Sequence, residues 1–186
     1  MKKIIQIVIL STVFPCGMIA QDLTFGAKAG GNLATLTNND DYEAKFGLHF
    51  GAVAEWEISD DFSIQPELLY SAQGYKRDIE GRTLRAKIDY LNIPLMASYE
   101  VIDDVCLMAG PQIGLNLRAE LEGEGQEGQR IPVNDVDASA VFGIQVEVDD
   151  SFFIQARYAM GLSEIRTNID EKHSVFSVSL GFFFDK

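Results

Sequence analysis

From Val175 to Phe184 the chain alternates without interruption. Phe176, Val178, Leu180, Phe182 and Phe184 fall on one face of a strand, and Ser177, Ser179, Gly181 and Phe183 on the other, because successive strand side chains point to opposite faces. Seven earlier stretches repeat this period of two: Leu23–Leu33, Lys45–Ile58, Phe62–Tyr75, Lys87–Tyr99, Val105–Leu117, Val136–Val148 and Phe152–Leu162. Helical spacing at three and four residues is absent throughout. The links between stretches also alternate. Ser59–Asp61, Ile102–Asp104 and Asp149–Ser151 are short turns rich in Asp and Ser, side chains that hydrogen-bond local backbone. Ala34–Ala44, Lys76–Ala86, Arg118–Asp135 and Ser163–Ser174 are long. Such sorting suits an up-and-down barrel with short periplasmic turns and long external loops, both termini lying on the periplasmic side. A sandwich with Greek-key crossings does not sort its links this way.

The two faces differ in kind. One carries Phe25, Leu33, Phe46, Leu48, Phe50, Trp56, Leu68, Leu95, Leu107, Ile113, Phe142, Ile144 and Ile154, with no charge among them. The other carries Lys28, Asn32, His49, Glu55, Gln65, Glu67, Gln73, Asn92, Gln112, Asn116, Gln145, Glu147, Gln155 and Arg157, with many Gly and Ser between. The interior of an eight-stranded barrel is narrow and too small for the aromatics of the first set, whereas Gly and Ser suit it. Trp56, Tyr70, Tyr99, Phe62, Phe152, Tyr158 and Phe184 fall near strand ends, where aromatic girdles meet the membrane surfaces. The fold class is therefore all-β: an eight-stranded antiparallel up-and-down transmembrane barrel, apolar outside and polar within. Pro66, Pro94 and Pro111 lie inside strands, where each removes a ladder donor, and are expected at bulges or locally unpaired positions.

The amino terminus adds a targeting expectation. Met1-Lys2-Lys3, the apolar run Ile4–Phe14 and a small residue at Ala20 describe a secretory signal peptide, residues 1–20, leaving 21–186 as the barrel domain. Cys16 lacks the small preceding residues of a lipidation site, since Val13-Phe14-Pro15 precede it. The formal charge of −13 becomes −15 once Lys2 and Lys3 leave, which argues against nucleic-acid partners. Cys106 then remains alone and cannot form an intramolecular disulfide. No later apolar run approaches the ~20 residues of a helical span, so crossing a membrane requires strands.

Several segments resemble the PorT-like outer-membrane β-barrel family of Gram-negative bacteria, often labelled porin-like. They are Phe25–Leu33, Ile64–Gly74, Tyr90–Leu95, Ala109–Gly114 and Ala156–Tyr158, in the family's order and over essentially the whole mature chain. The resemblance implies a small outer-membrane barrel, and one branch of the family is similar to a component of a protein secretion and gliding apparatus.

The inward charges Lys28, Glu55, Glu67, Glu147 and Arg157 form the sharpest constellation, with Lys28, Glu67 and Arg157 at similar depth. Paired charges filling a narrow lumen as a fixed plug are the expectation, since buried charge is tolerable only when paired; a gate whose ion pairs switch partners is the alternative. His49 could belong to a hydrolase triad of a lipid-modifying barrel only with a nucleophile and an orienting group nearby. No spacing supplies them, so no enzyme is expected. The acidic loops, including Asn38–Asp41 and Glu120–Glu127, lack regular ligand spacing, and neither metal nor cofactor is expected. Cys106 reads as a small packing residue. The terminal strand Phe176–Phe184 resembles an assembly signal for the barrel-insertion machinery, with Phe183, on the lumen side, tolerating Lys better than Phe182. The functional expectation is a monomeric outer-membrane barrel with a structural or surface-binding role and an unidentified extracellular ligand or secretion partner. A narrow solute channel is the alternative.

Overall fold

A computed structural model describes residues 23–37, 42–79, 82–123, 128–165 and 171–184. The proposed leader, Cys16 and the Asn38–Asp41 cluster lie outside the described residues. The alternating stretches form antiparallel strands β1 (Leu23–Leu36), β2 (Tyr42–Ser59), β3 (Phe62–Ile79), β4 (Arg82–Ile102), β5 (Val105–Glu122), β6 (Gln129–Arg130), β7 (Val136–Glu147), β8 (Phe152–Gly161) and β9 (His173–Phe183). Neighbours run β4-β3-β2-β1-β9-β8-β7-β5, and β5 pairs back onto β4. Eight strands thus close a ring, and the two-residue β6 is an appendage on the outer end of β5. Closure removes the open edges that would leave backbone groups unpaired in lipid.

The ring is apolar outside. Phe25, Phe46, Phe50, Leu95, Phe142 and Leu180 are exposed, while Lys28, Asn32, Gln65, Glu67, Gln145, Gln155 and Arg157 are buried inside. The girdle residues Trp56, Tyr99, Phe152 and Tyr158 are also exposed outward, and Tyr70 lies between Phe50 and Leu91 in the ladders of its two neighbours. On the terminal strand Phe176, Val178, Leu180 and Phe184 are exposed, and Phe182 stacks between Phe152 and Phe184 at centroid distances of 4.8 and 5.9 Å.

Two sequence expectations change. The Lys76–Ala86 link is not a long loop: β3 and β4 stay paired to Ile79↔Arg82, leaving residues 80 and 81 between them. β5 likewise runs on to Glu122, inside the expected Arg118–Asp135 loop. With 18, 18, 21 and 18 residues, β2–β5 exceed the ~9–11 residues that cross the bilayer and extend beyond it. The prolines occupy locally unpaired positions, as expected, and none lies in a bulge. Each sits in a two-residue gap of one ladder whose register is the same on both sides: Pro66 between Val53↔Glu67 and Trp56↔Ile64, Pro94 between Pro66↔Leu95 and Leu69↔Asn92, Pro111 between Pro94↔Gln112 and Ala97↔Ala109. Missing donors are thus absorbed without breaking a strand.

Apolar packing also occurs inside the ring. Val53, Phe153 and Phe183 cluster at the short-turn end, and Met96, Met108 and Val141 form a second cluster. At the outer end Leu36, Tyr75, Ala86, Ile88, Tyr90, Ala119 and Ile165 pack together, joined by Tyr42, Leu121, Ile131 and Val133. The segments carrying Ile131 and Ile165 fold back over this cluster, held by Ile131 N–H to Ala119 O (3.1 Å) and Asn134 N–H to Ile165 O (2.8 Å).

Candidate functional site: the barrel lumen

Lys28 on β1, Glu67 on β3 and Arg157 on β8 point inward by strand parity and meet across the lumen. The Arg157 guanidinium donates to both Glu67 oxygens, Nη1 to Oε2 at 2.8 Å and Nη2 to Oε1 at 2.6 Å. Lys28 Nζ reaches Glu67 Oε2 at 2.8 Å and donates to Gln155 Oε1 at 2.9 Å. Their side chains are 1%, 0% and 6% exposed for Lys28, Glu67 and Arg157, so Coulomb attraction here is little screened. The fork-on-carboxylate geometry is the strong form of this contact and fixes both side chains. Gln155 donates in turn to Gln145, and the Met108 sulfur accepts from Gln155 and Arg157 at 3.5 and 3.6 Å.

Glu55 and Glu147 are not in this cluster. Glu55 accepts from Ser63 Oγ at 3.1 Å and Glu147 from Gln145 Nε2 at 3.3 Å. Both line the mouth at the short-turn end with Glu57, Asp60, Asp61, Glu100, Ser98 and the buried Cys106 thiol. Among the described residues no Lys or Arg lies at this end.

Above the charge cluster is a polar layer. His49 Nε2 lies 2.7 Å from Ser179 Oγ, and Asn32 and Gln73 both donate to Ser71 Oγ at 3.0 and 3.1 Å. The fold thus pairs His49 with a serine that sequence spacing did not reveal. His49 Nδ1 has no hydrogen-bond partner, so no third group orients the ring, and both residues are buried. Higher still, Tyr90 Oη lies 3.1 Å from His173 Nε2, with the rings edge to face.

Sequence reasoning missed the aromatic floor. Phe153 and Phe183 point inward with ring centroids 4.8 Å apart, each 1% exposed. They fit a narrow barrel because their neighbours are glycines: a Cβ on Gly181 would collide with the Phe153 ring, and one on Gly26 would meet Phe183 Cδ1 at 2.9 Å. The doublets Phe152-Phe153 and Phe182-Phe183 already required one ring on each face. Phe183 is therefore no tolerant position for Lys; a charge there would be buried among Val53 and Phe153.

A closed ring of strands with an apolar belt outside and charges paired within defines an integral outer-membrane β-barrel protein. The chain belongs to the outer membrane protein β-barrel domain family, whose model matches residues 19–166. Its place is the outer membrane, in contact with lipid. Among solved structures it is similar to Neisserial surface protein A, with 15% identity, 86% of this chain and 97% of that chain covered and a TM-score of 0.60. It is also similar to Ail, the attachment invasion locus protein of Yersinia pestis, solved in complex with the heparin analogue sucrose octasulfate. There the identity is 14%, the coverage 88% of this chain and 100% of that chain, and the TM-score 0.57. Comparison with curated proteins gave no match.

Proposed function

We propose that this barrel is a monomeric, non-conducting, non-enzymatic scaffold that presents the outer extension of β2–β5 to an extracellular ligand. The observation that carries the reading is the filled lumen: Phe153 and Phe183 at the floor, the Lys28–Glu67–Arg157 cluster above them, and the Tyr75–Ile88–Tyr90–Ile165 cluster at the outer end. Charge order supports it too. An anion entering from the periplasm meets Glu55, Glu57, Glu100 and Glu147 first, and a cation that passes them meets Lys28 and Arg157. Each sign therefore faces a repulsive layer in a low-dielectric passage. The unpartnered Nδ1 and burial of His49 favour a structural role over catalysis.

The channel reading requires Glu67 to release one cation and the aromatic floor to open. Planar-bilayer recording separates the two. The scaffold reading expects no single-channel steps for the wild type, and regular steps would overturn it. Activity on lipid A or phospholipid would overturn the non-enzymatic part. The motif order from Phe25–Leu33 to Ala156–Tyr158 supports a PorT-like barrel, for which a secretion partner and the insertion machinery are the proteins to seek by pull-down from intact outer membrane. Binding by whole cells is tested with heparin among the ligands, because Ail was solved with a heparin analogue. Loss of binding when residues of the β3–β4 hairpin are replaced would identify the extension as the binding element.

A further inference from the structure

We propose that the lumen holds a monatomic anion of the chloride class, seated between the Lys28–Glu67–Arg157 cluster and the His49–Ser179 pair. The charge count motivates it. Lys28 and Arg157 share one carboxylate, Glu67, so with both cations protonated the cluster holds one more positive charge than it holds carboxylates, and an unpaired buried charge is costly. Glu55 and Glu147 line a different cavity, at the mouth formed by the short turns. A cavity of about 40 Å³ adjoins the cluster, lined by Lys28, Arg157, His49, Gln112, Ser177 and Ser179 among others. That exceeds the ~10–15 Å³ needed for one bound water and leaves room for one small ion. Its lining is rich in hydroxyl and amide donors. Arg157 and His49 both line it, and Arg157 Nε and His49 Nδ1 are buried without a hydrogen-bond partner. An anion here would complete the neutralisation of the cluster and accept from the orphaned Arg157 donor.

The test uses the full chain folded in detergent, with sodium chloride, sodium bromide and sodium gluconate compared at equal ionic strength. A ligand that binds only the folded state stabilises it in proportion to the logarithm of its concentration. Chloride and bromide should raise the melting of the heat-modifiable band by several degrees over gluconate, increasingly with concentration. Lys28→Gln leaves the neutral Arg157–Glu67 pair and should abolish that difference. Crystals grown in bromide should show an anomalous peak within hydrogen-bond distance of Arg157 Nε. Equal melting in the three salts would overturn the proposal, as would a wild-type halide response in Lys28→Gln. Should that variant fail to fold, the bromide crystal decides alone, and an empty cavity overturns the proposal.

Discussion

Glu67→Gln removes the single carboxylate between two buried cations while keeping the side-chain volume. Glu67 takes three short contacts from Arg157 and Lys28, at 2.6 to 2.8 Å, with its side chain fully buried. The amide retains one acceptor oxygen and offers an NH₂ donor toward groups that can only donate. Removing one partner of a buried ion pair costs about 3–5 kcal/mol, and here two cations lose their counter-charge together, so the upper part of that range is expected. Lys28→Gln differs in kind. It leaves the bidentate Arg157–Glu67 pair neutral and hydrogen-bonded, so loss of its charge-assisted bonds is offset by relief from desolvating an ammonium, and the net cost should stay below about 1.5 kcal/mol. Arg157→Gln falls between, because Lys28 still neutralises Glu67 but the fork is lost. Urea unfolding from lipid vesicles measures all three. The single Trp of the chain, Trp56, lies on the outward face and reports exit from lipid by fluorescence. Equal destabilisation by Lys28→Gln and Glu67→Gln would refute the charge argument, and a neutral Glu67→Gln would refute the plug.

Other consequences are equally direct. Cysteine introduced at Arg130 should label on intact cells, and cysteine at Asp60 or Asp149 should not; the reverse pattern would invert the barrel. Leu180→Lys should reduce outer-membrane yield more than Phe184→Lys, since Lys on the lipid face costs roughly 2–4 kcal/mol at mid-depth and less near the interface. Phe183→Lys should be at least as harmful as Phe184→Lys, because it empties the Phe153 cluster, a loss of about 3–5 kcal/mol for a buried aromatic, and buries a charge; near-normal yield would show that the floor is not packed. Gly181→Ala should destabilise by about 1–3 kcal/mol through its collision with the Phe153 ring, and combining it with Phe153→Leu should recover part of that loss in the same urea titration.

Strand parity makes much of this barrel legible in its sequence. A side-chain period of two, held over eight stretches, specifies two faces, and an apolar face too bulky for a narrow interior must turn to lipid. On the sequence alone, Lys28, Glu67 and Arg157 therefore belong inside and Phe25, Phe50 and Leu180 outside. The alternating link lengths likewise implied an up-and-down ring. Parity says nothing about azimuth or shear, which are set by how eight ladders close on one another. Whether β1, β3 and β8 bring their inward charges into contact is therefore a tertiary matter, as is the separation of Glu55 and Glu147 from that cluster. The same holds for His49 and Ser179, 130 residues apart and joined only through the β1–β2 and β1–β9 registers. The extension of β3 and β4 to Ile79↔Arg82 escaped the sequence because its polar outward residues read as loop, although paired backbone continues wherever an inner cluster such as Tyr75, Ala86 and Ile88 holds it. The floor of Phe153 and Phe183 needed Gly181 and Gly26 beside the rings, and only closure of the barrel put them there.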